Sequence, residues 1–136
     1  MRKETIQHDG VILAKIIYKQ NLEEGAHFYT PDENLLQIGK LVHPKGKTIK
    51  AHKHSSIRIE ADQPLQEVLY IEKGKIKVAF YSVEDKWVCS RILNKGDTLL
   101  LINGGHSFEI LENTMMLEVK QGPYAPDNRK DLKAEV

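Results

Sequence analysis

Three imidazoles and one carboxylate define the chemistry open to this chain. His52 and His54 flank Lys53, six residues after Gly46. Glu67 stands seven residues before Gly74, and His106 follows a Gly96-Asp97 turn and a Gly104-Gly105 pair. In a β-strand, residues two apart point the same way. A strand through 52–54 therefore projects both imidazoles together and turns Lys53 outward, so that two ring nitrogens reach one ion at about 2.0–2.2 Å. Glu67 alternates with Leu69 and Ile71, and His106 with Phe108 and Ile110; both are expected to face an apolar interior. Three histidines and a carboxylate leave one or two positions open on a five- or six-coordinate transition metal, where water, dioxygen or a chelating substrate binds. Glu67 is then either a ligand or a general base. A lone His-x-His is common on protein surfaces; the reading as a metal site rests on Glu67 and His106 accompanying it.

Other side chains have two readings each. Lys50 shares the parity of His52 and His54 and either offers a cation to an anionic substrate or turns to solvent. Arg58 either clamps a carboxylate or phosphate in two-pronged fashion or is an ordinary surface arginine. Gln37, in the apolar run Leu35-Leu36-Gln37-Ile38, is expected mid-strand, facing either the metal or the outside. Tyr70 is expected on the outer face, and Phe80 and Trp87 in the core or at an interface between copies. His8, His27 and His43 lack a partner at ligand spacing. The single cysteine, Cys89, excludes an internal disulfide and reads as a small hydrophobe. There is no Gly-rich phosphate loop and no Ser-His-Asp order to support nucleotide hydrolysis or nucleophilic catalysis.

Positioning these side chains calls for many short strands. Turn signals recur every few residues, from Asp9-Gly10 through Pro44-Lys45-Gly46, Lys73-Gly74 and Gly96-Asp97 to Glu112-Asn113, and the segments between are rich in Val, Ile, Leu and Tyr. That rhythm predicts an all-β sandwich or barrel. Lys75 to Tyr81 is the clearest strand: Ile76, Val78 and Phe80 lie on one face, Lys75 and Lys77 on the other. Further strands are expected at Ile12–Tyr18, Glu67–Ile71, Trp87–Leu93, Thr98–Ile102, His106–Leu111 and Thr114–Lys120. The 136 residues are the size of one domain. We expect a core over about residues 30–121 and a C-terminal extension over 122–136. Twenty basic and 19 acidic side chains give a net charge of +1; without a basic patch, neither nucleic acid nor an anionic membrane is an expected partner. Leu99-Leu100-Leu101-Ile102, the longest apolar run, is too short to span a bilayer, and a cytoplasmic location is expected.

Gly46, His52, His54, Glu67 and Gly74 together resemble the first motif of the cupin superfamily, and the segment from Gly96 through Ile102-Asn103-Gly104-Gly105 to His106 resembles the second. The two motifs, in order, span about the central half of the chain. There are two departures. Twelve residues separate His54 from Glu67 where the family has three or four, and this insertion carries Arg58 and Glu60, so Glu60 is an alternative ligand to Glu67. Ile102 replaces the usual proline, and the second motif is one residue short before His106. The resemblance implies a single-domain cupin-type β-barrel (a double-stranded β-helix, or jelly roll), usually a homodimer, holding a divalent metal: Fe, Mn, Zn or Ni. It is also similar to small cupins of nucleotide-sugar and surface-polysaccharide metabolism. That similarity implies a small polar ligand such as a sugar derivative, handled by isomerase-like chemistry. The alternatives are a non-catalytic ligand-binding module and an iron-dependent dioxygenase. The apolar strand at Val11–Ile17 is expected to be an edge that a second copy covers.

Overall fold

A computed structural model describes residues 2–55, 64–122 and 130–132. Among them there is no helix; the protein is all-β, with three antiparallel sheets, none of them closed. The chain divides into two compact units, one of residues 1–19 and 64–136, the other of residues 20–63.

The larger unit is a sandwich of two sheets. The first contains β1 (Lys3–His8), β2 (Val11–Ile17), β5 (Glu67–Lys73), β8 (Thr98–Leu101) and β10 (Met115–Lys120), in the order β1-β2-β8-β5-β10. The second contains β6 (Lys75–Tyr81), β7 (Trp87–Asn94) and β9 (Gly105–Ile110), in the order β7-β6-β9. Alternation along each strand gives both sheets one apolar face, and the two faces meet. Ile6, Leu13, Ala14, Ile16, Leu69, Ile71, Leu99 and Leu101 from the first sheet pack with Ile76, Val78, Phe80 and Leu93 from the second. β8 lies between β2 and β5, and all four of its residues are buried. A continuous Thr-Leu-Leu-Leu run therefore suits it better than alternation would, because both of its faces are covered.

The strands at Lys75–Tyr81, Trp87–Asn94 and Met115–Lys120 fall within a residue of where alternation puts them. Two features at the N-terminus differ from expectation. β2 is not an edge: β1 pairs with it on one side and β8 on the other. β1 itself is polar at five of six positions and buries only Ile6, so its period is faint. The hairpin joining it to β2 is the stronger signal. Asp9 and Gly10 have φ of 48° and 77° and lie between the paired residues His8 and Val11, the two-residue loop whose twist matches the strands it joins.

The smaller unit contains a two-stranded sheet of β3 (Gly25–Phe28) and β4 (Gly39–Val42). The expected strand at Leu35–Ile38 is instead the loop before β4. The loop is held from within: the Gln37 side-chain amide donates to the carbonyls of Pro31, Asp32 and Asn34, and its oxygen accepts from the Thr30 hydroxyl at 2.7 Å. From His43 to Ser55 the chain forms no strand and every residue is exposed. Pro44-Lys45-Gly46-Lys47 breaks extended pairing, and the residues beyond it lack an apolar face to anchor a strand.

Candidate metal-ligand residues

His52 and His54 therefore sit on an exposed irregular segment rather than on the strand expected for them, yet their rings come together. The centroids are 5.2 Å apart, edge to face at 80°. Nδ1 of His52 lies 2.8 Å from the Lys50 carbonyl oxygen. A carbonyl only accepts, so this contact selects the tautomer with the proton on Nδ1 and leaves the Nε2 lone pair available to an electrophile. The same backbone-anchored arrangement orients metal-ligating imidazoles. Lys50 is exposed, and its carbonyl oxygen is the group that meets His52. Arg58 and Glu60 lie outside the described residues.

In the larger unit, Glu67 and His106 both point inward and stand at the same end of the sandwich. Glu67 shares a face with buried Leu69 and Ile71 and pairs with Leu101, the last residue of β8. β9 begins four residues later, and its second residue, His106, lies opposite inward-facing Phe80. Glu67 and His106 are each half-buried, and the His106 ring sits 5.2 Å from that of Phe108. The turn feeding His106 is tightly specified. The Asn103 side-chain amide donates to the Ile12 carbonyl at 2.9 Å, and Ile102 and Asn103 both donate backbone N–H to the Leu13 carbonyl. Gly104 has φ +73°, and a Cβ there would collide with the Tyr81 carbonyl oxygen, so position 104 requires glycine.

Beside Glu67 the structure adds two charges that pattern alone did not single out. Lys120 is its cross-strand partner on β10, and Glu118, two residues back on the same face, lies 3.4 Å from the Lys120 ammonium. At the far edges of the two sheets, Glu4 on β1 receives hydrogen bonds from both Nε and Nη2 of Arg91 on β7, at 2.8–3.1 Å, and one more from the Tyr18 hydroxyl. The Arg91 hydrogen bonds hold the Glu4 carboxyl below its ordinary range, against an opposing push from burial. Burial, with the Glu4 hydrogen bond, raises the Tyr18 phenol, and burial raises the Cys89 thiol. Cys89 is thereby kept in its unreactive thiol form. Residues 4 and 91 are 87 positions apart, and nothing in either local sequence announces the pair.

Among the described residues, no group of three or more His, Cys, Asp or Glu side chains is gathered closely enough to hold a metal ion. The structure brings together His52 with His54 in one unit, and orients Glu67 and His106 toward the interior of the other. No helix among the described residues is long and apolar enough to cross a membrane. Comparison with family models, with curated proteins and with solved structures found no match.

Proposed function

We propose that the protein is a metal-binding β-protein of the cupin type, in which His52 and His54 supply two imidazoles to a divalent transition metal. The observation that carries this reading is the local geometry at 52–54. Two adjacent rings stand 5.2 Å apart, one with Nδ1 tied to a backbone carbonyl, which is the donor chemistry an imidazole-preferring ion such as zinc, iron or nickel requires.

When bound, such an ion supplies Lewis acidity to a carbonyl or hydroxyl oxygen of a small polar ligand. The chain contributes the rest. The Lys50 carbonyl fixes the His52 tautomer. A sugar derivative handled by isomerase-like chemistry is the ligand class we favour. Elemental analysis of protein purified without chelator tests the reading. One metal per chain is expected for the wild type and for His8→Ala, with loss in His52→Ala and His54→Ala. Equal metal content in all four proteins would remove His52 and His54 from consideration.

A further inference from the structure

β10 is the last strand of the five-stranded sheet, and among the described residues nothing pairs with its far side. Its outward face is apolar: Met115, Leu117 and Val119 are exposed to 54%, 52% and 52%. The apolar surface continues onto β5, where Tyr70 lies beside Leu117 and Val68 beside Val119. The other edges of this unit are less apolar. β1 presents Lys3 and Thr5 outward, β9 presents Ser107 and Glu109, and β7 alternates Ser90, Ile92 and Asn94. An exposed edge strand with an apolar face is a template for pairing unless charge, proline or covering chain blocks it.

We propose that β10 is a self-association edge, pairing antiparallel with β10 of a second copy about a two-fold axis through Val119. The choice of occupant rests on charge complementarity in the strand itself. In an antiparallel pair related by a two-fold axis normal to the sheet, directly opposed residues share a face. Centring on Val119 places Glu118 of each copy opposite Lys120 of the other, twice over, while Val119 meets Val119 and Leu117 meets Gln121 on the apolar face. Centring on Glu118 instead sets two carboxylates opposite each other. Centring on Leu117 leaves Glu118 facing Met116. Opposite charges across strands favour a register and like charges oppose it, so the sequence Leu117-Glu118-Val119-Lys120-Gln121 selects one self-pairing of the three. A single strand-edge contact is smaller than the roughly 1,200 Å² of a stable interface, so the association is reversible and concentration-dependent. It does not depend on metal binding.

Sedimentation velocity on the full chain, over roughly three decades of concentration up to about 1 mM, reads the equilibrium directly, with circular dichroism confirming that each variant is folded. The wild type is expected to shift from monomer to dimer. Glu118→Lys sets lysines opposite lysines and Lys120→Glu sets carboxylates opposite carboxylates; each is expected to weaken the dimer by roughly tenfold or more. The double variant Glu118→Lys/Lys120→Glu restores complementarity and should recover the wild-type constant, while Glu109→Lys on β9, which makes the same charge change as Glu118→Lys at another edge, should leave it unmoved. A wild type that stays monomeric would overturn the proposal and leave the edge to an extended segment of some other protein. A dimer indifferent to both single swaps, or a double variant that fails to recover, would overturn it equally.

Discussion

β8 and the segment from His43 to Ser55 solve opposite problems. Every residue of β8 is buried, between two strands and under both faces of its sheet; every residue of 43–55 is exposed and none is in a strand. The first has no titratable side chain and the second has His43, His52 and His54. The fold is thus held by a part of the chain that can do no chemistry, and the histidine pair sits where its loss removes no core contact. Stability and metal affinity should therefore respond to separate sets of substitutions.

The largest effect that sharpens this contrast lies in the core. Leu99→Ala removes a fully buried side chain packed between the two sheets. It should cost about 2–5 kcal/mol of unfolding free energy in denaturant titration, and a cost below 1 kcal/mol would mean that β8 is not the centre of the fold. A middle effect comes from the Glu4–Arg91 pair at the edge of the sandwich. Because Arg91 holds the Glu4 carboxyl below its ordinary range, the folded state binds its proton less readily than the unfolded state. The contribution is therefore complete above the unfolded carboxylate value of about 4.3 and is lost as pH falls through the lower folded value. Glu4→Gln should cost about 1 kcal/mol at neutral pH, a modest figure because the Arg91 side chain is 37% exposed. The gap between variant and wild type should close as the pH drops below about 4. A gap that stays constant across that range would break the assignment. The smallest effect is expected at the histidines: His52→Ala and His54→Ala should leave the stability of metal-free protein within about 0.5 kcal/mol of wild type. A larger loss would show that the segment contributes to the fold after all.

Most of the larger unit was legible in the sequence because period-two alternation and turn residues act locally. Ile76-x-Val78-x-Phe80 can satisfy its apolar face only as a strand, and Gly96 and Gly104, both at positive φ, mark the turns before β8 and β9. What was not legible depends on partners distant in the chain. β1 has one buried apolar residue and becomes a strand because β2 is there to pair with. The Glu4–Arg91 bond joins residues from opposite sheets. At the candidate site, the inward parity of Glu67 and His106 followed from their apolar neighbours. The strand assigned to His52 and His54 did not, since His-x-His spacing carries no apolar face of its own. The contact that orients His52 there is to a backbone carbonyl, which no residue type reports. Gln37 misled for a related reason: its apolar neighbours suggested a strand, whereas its amide serves three carbonyls of its own loop.

A titration of chelator-stripped protein with Zn²⁺, followed through the imidazole resonances by NMR, reads directly whether His52 and His54 bind a divalent metal. The signals of His52 and His54 are expected to move first and to saturate at one metal per chain, while those of His8, His27 and His43 stay in place. Signals that drift together without saturating, or a response confined to His8, His27 and His43, would contradict it.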